Sequence, residues 1–219
     1  MVYNKYIIYF MEAVELRIIG LCGGSGSGKG TVAKMFSRFN IASIDTDKVY
    51  HMLTSAKSPC LDALVSEFGK EILSEDGSLN RKKLAQIVFS GEDSENKRLI
   101  LNRISHRFVL DKTREMLADF KKQGIPAAIV DAPLLFESGF DAECDVVIAV
   151  IADEDIRVAR IAERDGISAD SARARIKAQL SDEYLIEHSD YVIDNSGKVT
   201  DTGLRVAEIA QKILNLGGQ

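Results

Sequence analysis

Cysteine and histidine are scarce in this sequence, with three of each among 219 residues. The cysteines, Cys22, Cys60 and Cys144, are odd in number and lie far apart, which suggests neither a disulfide framework nor a zinc site. The histidines are also scattered and lack the spacing of metal ligands. We therefore expect a reducing, cytoplasmic setting for this protein.

Positive charge is in deficit, because 28 lysine and arginine residues stand against 33 aspartate and glutamate residues and leave a net charge of -5. Nucleic acids and anionic membranes bind basic surfaces, so neither is expected as the main partner. Long hydrophobic runs are missing as well. The apolar patch within residues 1–10 is too short to span a bilayer and lacks a small-residue cleavage site. Residues 1–14 are predicted to be an N-terminal extension, with Met11 as an alternative start.

What the sequence does contain is a set of short apolar runs, each with the length of a buried strand: residues 16–22, 41–44, 127–130, 146–151 and 191–193. Nearly continuous apolar runs are typical of strands covered on both faces of a parallel sheet. Helical stretches separate the runs, which favours strand–helix–strand crossovers. We predict a single α/β domain with three layers, α/β/α, around a five-stranded parallel sheet.

Two connections between these strands are longer than a crossover requires. Residues 56–124 have a mostly helical pattern, and we predict a helical insertion that binds the acceptor substrate. Residues 153–189 are predicted to form a helical lid, in which Ser168 and Ser181 stand where helix N-caps are expected. The rest is the predicted nucleotide-binding core: residues 15–55, 125–152 and 190–219.

A glycine-rich loop joins the first predicted strand to a helical stretch over residues 29–39. Residues 23–29 read GGSGSGK and satisfy the pattern GxxxxGK, whose glycines let successive backbone N–H groups point at phosphate oxygens. The following helix adds its positive N-terminus, and Lys29 adds a mobile charge for the β and γ phosphates. The ATP-binding residues predicted here are Gly24, Ser25, Gly26, Ser27, Gly28, Lys29, Gly30 and Thr31.

One position of this loop departs from the usual pattern. The serine or threonine that normally follows the lysine, and whose hydroxyl helps to hold Mg²⁺, is here Gly30, while Thr31 comes one place later. The ending GKGT also occurs in adenylate-kinase-like loops, so phosphate binding is still expected. The metal ligands must then come from Thr31, from water or from a carboxylate.

Acidic residues follow two of the predicted strands. Asp45 and Asp47 come after the second strand, and Asp131 comes after the third. Ligands of open parallel sheets bind at the carboxyl ends of the strands. A carboxylate beside an acceptor hydroxyl can orient it and accept its proton, while one near the phosphates can hold Mg²⁺ or its waters. Asp45 has an alternative interpretation as a helix or turn cap.

Three arginines of the predicted lid, Arg157, Arg160 and Arg164, share one helix face because they are spaced at i, i+3 and i+7. A guanidinium group can bridge phosphates and stabilise the charge of the transferring phosphoryl group. The alternative is a solvated face that pairs with acidic neighbours such as Glu154 and Glu163.

Taken together, these motifs resemble the dephospho-coenzyme A kinase family from about residue 17 to residue 214. The family's GLTGGIGSGKST is matched by GLCGGSGSGKGT, and its DAD turn, followed four residues later by arginine or histidine, is matched by Asp45, Asp47 and His51. Further matches are DGxLxRxxL at 76–84, PLLFE at 133–137, RxxxRD at 160–165 and VIDNSG at 192–197. The loop, the DxD turn and the PLLFE block together separate this family from other small kinases.

This resemblance implies a P-loop kinase-like fold and a phosphotransferase activity. ATP, with Mg²⁺, would phosphorylate the ribose 3′-hydroxyl of dephospho-CoA, and both substrates are small molecules. The resemblance implies that Asp47 faces the hydroxyl. It implies that Lys29 and Arg160 act on the phosphates, which makes these three the expected catalytic residues.

Binding residues are implied in the same way. Beyond the loop, Arg164 and Asn195 would contact ATP, with Asn195 near the adenine. Thr31 and Asp131 would hold Mg²⁺, directly or through water. The implied acceptor-binding residues are Asp45, His51, His106, Leu135, Phe136 and Glu137. His106 is followed by arginine where the family often has proline, and we expect this difference to alter only the start of a helix.

Other functions fit parts of the sequence. A kinase of another small acceptor, such as a nucleoside monophosphate, would suit the GKGT ending but has no further support. A regulatory nucleotide switch would bind phosphates on the same loop. However, the sequence has no NKxD-type guanine signature, since Asn96 and Lys97 are followed by Arg98 and Leu99. A non-catalytic scaffold is disfavoured because loop, carboxylates and arginines are all present. We expect a monomer or a weak homo-oligomer.

Overall fold

A computed structural model of the protein describes residues 15–55, 57–91 and 93–215. Five strands are present in these ranges: β1 (Arg17–Cys22), β2 (Ile41–Asp45), β3 (Ala127–Asp131), β4 (Val146–Ile151) and β5 (Tyr191–Asp194). Each predicted strand agrees with the structure to within one residue at either end. The predicted N-terminal extension, residues 1–14, lies outside the described residues.

The strands form one parallel sheet in the order β2-β3-β1-β4-β5. In the central strand, Gly20 aligns with Val130 of β3 on one side and with Val147 of β4 on the other. All the strands run in one direction, so the carboxyl ends of β1, β2 and β3 lie at the same edge of the sheet. The predicted five-stranded parallel sheet and the α/β fold class are thus confirmed.

The α helices of the described residues are α1 (Lys29–Phe36), α2 (Thr46–Ser55), α3 (Pro59–Phe68), α4 (Arg81–Phe89), α5 (Ser94–Lys122), α6 (Glu154–Asp165), α7 (Ala169–Lys177), α8 (Asp182–Glu187) and α9 (Val199–Asn215). The first helix is shorter than the predicted 29–39. It tightens into a 3₁₀ turn over Ser37–Phe39, and Asn40 then ends the turn in the left-handed conformation with φ 57°.

Apolar residues on both faces of the sheet make two cores. On one face, alternate strand residues such as Ile19, Ile129 and Ile148 pack against α1 and α9. On the other face, residues such as Val130 and Ala149 pack against α2, α5 and α8. The helices therefore cover the sheet on both sides, which explains why its central strands have uninterrupted apolar sequences.

The long connection between β2 and β3 folds around its own core. Apolar residues of α3 and α4 pack against the first half of α5, while the second half of α5 packs on the sheet. Ser58 caps α3, because its Oγ accepts a hydrogen bond from the N–H of Leu61 at 3.1 Å. The insertion is therefore joined to the sheet by one continuous 29-residue helix.

The segment between β4 and β5 contains three helices, α6, α7 and α8. Ser168 and Ser181 are the N-caps of α7 and α8, as predicted, and each Oγ accepts from a backbone N–H at 3.2 Å. Val158, Ile161 and Ala172 form a small core between α6 and α7. None of the helices in the described ranges has both the length and the hydrophobicity needed to cross a bilayer.

Candidate active site

A cleft of about 670 Å³ opens at the carboxyl-terminal edge of the sheet. The glycine loop, the segments that follow β2 and β3, one face of α5 and the segment between β4 and β5 surround it. The lining residues that the sequence had indicated are Gly24, Ser25, Gly26, Gly28, Lys29, Gly30, Asp45, Asp47, His106, Asp131, Arg160 and Arg164. The fold therefore brings candidates for both substrates into one cavity.

The glycine loop carries unpaired backbone N–H groups at the start of α1. Gly26 and Gly28 have φ values of 79° and 93°, in the left-handed region that favours glycine. Within the described ranges, the N–H groups of Gly26, Gly28, Lys29 and Gly30 donate to no other protein group. The Lys29 ammonium donates to the Gly23 carbonyl at 2.8 Å. Free amides at a helix N-terminus form an anion site.

The carbonyl groups of this loop are held from behind. Arg160 Nη1 donates to the carbonyl of Gly26 at 3.0 Å and to that of Ser27 at 3.4 Å. Asn195 Nδ2 donates to the same Ser27 carbonyl at 2.8 Å, and Asn195 Oδ1 accepts from Thr202 at 3.1 Å. The C=O and N–H of a trans peptide point in opposite directions, so these bonds turn the following N–H groups to the other side. The buried Asn195 side chain thus supports the loop and does not line the cleft.

Two predicted loop residues do not line the cleft. Ser27 is fully buried, and its Oγ has no hydrogen-bond partner in the described part of the chain. Thr31 is exposed on the first turn of α1 and is absent from the cleft lining. Gly30 does line the cleft, and a Cβ atom there would meet nothing within 4 Å. The position of the usual metal-binding hydroxyl is therefore open space.

Three carboxylates lie within electrostatic reach of one another, and Lys29 acts on two of them. Burial raises the pKa of Asp131 to about 6; Lys29 opposes this rise, and the charges of Asp45 and Asp47 add to it. Burial and the charge of Asp45 also raise the pKa of Asp47, again opposed by Lys29. Partial burial acts to raise the pKa of Asp45, but hydrogen bonds from Lys48 outweigh it, and the pKa lies below its ordinary value.

Asp45 also caps the start of α2. Its Oδ1 accepts from the N–H of Lys48 at 3.0 Å, and its Oδ2 pairs with the Lys48 ammonium at 2.9 Å. The alternative interpretation of Asp45 as a cap therefore has a direct geometric basis, although the residue also lines the cleft.

Asp131 has the environment of a cation ligand. Its Oδ1 is buried and has no hydrogen-bond partner among the described residues, which is costly unless a cation or a donor meets it. No group of three His, Cys, Asp or Glu side chains in the described ranges could hold a metal. Mg²⁺ is usually bound by one or two carboxylates together with water and substrate phosphates. The donor set therefore fits Mg²⁺ that is held jointly with a nucleotide.

Helices α2 and α5 form another wall of the cleft. The lining residues on this wall are Tyr50, Leu101, Asn102, Ser105, His106, Val109 and Leu110. Burial lowers the pKa of His106, and the charge of Glu137 opposes this change. Only His106 had been predicted. The spacing of the α5 residues by three and four could have identified the rest of this face.

The PLLFE block does not present its last three residues to the cleft. Leu135 is 1% exposed and belongs to the core under the sheet. Phe136 packs edge-on against Tyr184, with ring centroids 5.6 Å apart, and Glu137 is exposed. Residues 132–134, just before them, line the cleft instead.

His51 lies beside a second, adjoining pocket of about 460 Å³, which it shares with Asp45 and Asp47. Its Nδ1 is hydrogen-bonded to the hydroxyl of Ser55 at 2.7 Å. The two aspartates line both cavities, so His51 is near the main cleft without lining it.

The three arginines of α6 divide into two groups. Arg160 and Arg164 line the cleft, and Arg164 Nε also donates to Asp165 at 2.7 Å. Arg157 is 4% exposed and lies behind the glycine loop. Gln179, just after α7, also reaches the cleft, and no pattern in the sequence singles it out.

Comparisons with known proteins cover almost the whole chain. A family model described as dephospho-CoA kinase matches residues 17–201. The chain is 38% identical over 197 residues to a dephospho-CoA kinase of Carboxydothermus hydrogenoformans, covering 90% of this chain and 94% of that protein. It is 37% identical over 196 residues to one of Corynebacterium efficiens, covering 90% and 96%.

Solved structures match the fold of the chain. The crystal structure of TT1252 from Thermus thermophilus matches with a TM-score of 0.77 and 26% identity, covering 91% of this chain and 98% of that one. A shikimate kinase from Acinetobacter baumannii matches with a TM-score of 0.51 and 15% identity, covering 93% of each chain. The second likeness concerns the fold alone.

Proposed function

Because the chain belongs to the dephospho-CoA kinase family, we propose that it transfers the γ-phosphoryl group of ATP to the ribose 3′-hydroxyl of dephospho-CoA. The products are CoA and ADP, and the reaction is the last step of CoA biosynthesis. One observation carries the proposal: Asp47 and the glycine loop, whose amides are unpaired within the described ranges, line the same cleft.

On the donor side, the loop amides and Lys29 bind the phosphates of ATP. The Lys29 ammonium donates to the Gly23 carbonyl in the structure, and on binding ATP it would donate to the phosphates instead. Arg160 has donors left after its bonds to the loop, and Arg164 lines the cleft beside it. Their positive charge offsets the negative charge that spreads over the transferring group.

On the acceptor side, Asp47 orients the 3′-hydroxyl and accepts its proton. Its raised pKa makes it a stronger base than an ordinary aspartate. In phosphoryl transfer the transition state is loose, so the orientation of the hydroxyl matters more than base strength. Tyr50, Asn102 and His106 present polar groups to the acceptor from the wall formed by α2 and α5.

We also assign Mg²⁺ as the metal, with Asp131 as its protein ligand. Bound there, Mg²⁺ would neutralise charge on the β and γ phosphates. The open space at Gly30 leaves room for its water ligands. Thr31 is the second candidate ligand that the sequence indicates, and its exposed position disfavours direct contact.

The test is a transfer assay. The protein is mixed with ATP, Mg²⁺ and dephospho-CoA, and mass spectrometry is used to detect one added phosphate. Formation of CoA is the expected result. Phosphorylation of AMP without phosphorylation of dephospho-CoA would transfer the assignment to a nucleoside monophosphate kinase. Binding of ATP with no transfer to either would favour a regulatory nucleotide-binding protein.

A cytoplasmic location and a monomeric or weakly associating state are further parts of the proposal. Free Cys22, Cys60 and Cys144 suit a reducing compartment. Sedimentation of the protein at several concentrations, with and without ATP, would establish the oligomeric state.

A further inference from the structure

Ser25, at the tip of the glycine loop, has both of its backbone polar groups bound by side chains from the lid. Its N–H donates to Gln179 Oε1 at 2.8 Å, and its carbonyl accepts from Arg157 Nε at 3.0 Å. These partners are 154 and 132 residues away along the chain. We infer that Arg157 and Gln179 are positioning residues that hold the loop in its phosphate-binding shape. With Asp182, they are called the Ser25 clamp, and the inference rests on the proposed function for its ligand, ATP.

The geometry of one peptide bond explains how the clamp acts. The Ser25 carbonyl points to Arg157, so the N–H of Gly26 in the same peptide points to the opposite side. That N–H is one of the amides with no partner among the described residues. Fixing the carbonyl therefore fixes the direction of a phosphate-binding donor before ATP arrives, and less ordering is left to occur on binding.

Arg157 is itself held in place by a partly buried ion pair. Its Nη1 donates to Asp182 Oδ1 at 2.9 Å, and the exposed fractions of the two side chains are 4% and 28%. A buried guanidinium has a desolvation cost that an apolar side chain of similar volume does not have. An apolar side chain could fill the space of Arg157, but it could not make the hydrogen bonds to Asp182 and Ser25.

The clamp also accounts for the glycine at position 24. A Cβ atom on Gly24 would lie 2.0 Å from Arg157 Nη2 and 3.3 Å from Gln179 Oε1. Gly24 is not among the glycines with positive φ, so its backbone conformation alone does not require glycine. The two clamp side chains occupy the space that a larger residue would need. Gly24 and Arg157 should consequently be energetically coupled.

The first experiment compares ATP binding by three variants. Arg157→Met and Gln179→Met keep approximate side-chain length and remove the bonds to Ser25. The matched control is Arg173→Met, because Arg173 on α7 pairs with Asp155 at 2.9 Å, and within the described ranges its bonds go to α6 and not to the glycine loop. Calorimetric titration gives the dissociation constant for ATP, and steady-state assays give kcat and the KM of each substrate.

We expect ATP binding to weaken about tenfold in each clamp variant, with a parallel rise in KM for ATP. The KM for dephospho-CoA should stay within about twofold of the control. The thermal unfolding midpoint is measured alongside. A merely structural role would lower that midpoint and leave the dissociation constant for ATP unchanged, which would overturn the inference.

The second experiment is a double-mutant cycle with Gly24→Ala and Arg157→Ala. In the wild-type background, Gly24→Ala should weaken ATP binding at least about fivefold, because its Cβ displaces the guanidinium. In the Arg157→Ala background the space is free, and the further loss should be below about twofold. Equal losses in both backgrounds would contradict the clamp.

The two proposals fail separately. Wild-type protein that binds ATP but does not phosphorylate dephospho-CoA would overturn the assigned acceptor, while the ATP titrations would still support or refute the clamp. Active wild-type protein whose clamp variants bind ATP within twofold of Arg173→Met would overturn the clamp and leave the assigned reaction standing.

Discussion

Replacing Gly30 by serine should place a hydroxyl in the cleft at the position where glycine-loop proteins usually bind Mg²⁺. A Cβ atom at Gly30 meets nothing within 4 Å, and Gly30 is not among the glycines with positive φ, so serine fits without strain. Gly30 lies in the first turn of α1, where serine is about 0.5 kcal/mol more favourable than glycine. We expect the unfolding midpoint of the metal-free protein to rise by about 1–2 °C for a chain of this size.

The functional effect is measured as the Mg²⁺ concentration that gives half-maximal CoA formation. An added oxygen ligand that contributes about 1 kcal/mol, the order of one net hydrogen bond, should lower this concentration about fivefold. Gly30→Ala is the matched control, because it changes helix propensity without adding a hydroxyl. Identical Mg²⁺ curves for the two variants would refute the reasoning and place the metal away from Gly30. A raised Mg²⁺ requirement in Thr31→Val would assign the ligand to Thr31 instead.

Three further predictions concern charged groups of the cleft. The pKa of Asp131 is about 6 in the folded protein and 3.8 ordinarily, so the folded state favours the protonated carboxyl group. This contribution to the free energy of unfolding is fully present at low pH and is lost as the pH rises through 6. The free energies of unfolding of Asp131→Asn and of the wild type are measured by urea unfolding in EDTA without nucleotide. The difference between them should rise by about 1.4 kcal/mol in favour of the variant from pH 5 to pH 8, and a difference that does not change with pH would contradict this. Asp47→Asn should reduce kcat by about 10²-fold or more while the calorimetric dissociation constant for ATP stays nearly unchanged, and a large loss of ATP affinity would instead place Asp47 among the metal ligands. Lys29→Met should weaken ATP binding about 10- to 100-fold, and a change below twofold would exclude Lys29 from phosphate binding.

The parts of the fold that depend on local sequence were predictable. Each strand is a short apolar run because a parallel sheet covered on both faces needs apolar residues on both sides of every strand. Ser168 and Ser181 were recognisable as caps because an N-cap interaction spans only three residues. The position of Asp45 and Asp131 at the cleft followed from their place at the carboxyl ends of two strands, since parallel strands end at one edge.

The orientation of individual side chains was harder to predict from the sequence. Within the PLLFE block, the turn after β3 decides that Leu134 lines the cleft and Leu135 enters the core, and no periodicity describes such a turn. Arg157 and Arg160 share one helix face, yet Arg157 lies buried behind the glycine loop while Arg160 both contacts the loop and lines the cleft. That difference depends on how α6 packs against the loop.

The sequence by itself determined the sheet, the glycine loop with its lysine and the acidic residues at the strand ends, because each depends on neighbours a few positions away. Only the tertiary structure decided that Gln179 reaches Ser25 and that Asn195 holds the loop from behind. These contacts join residues more than 150 positions apart, and they form because the segment between β4 and β5 and the end of β5 pack against the loop.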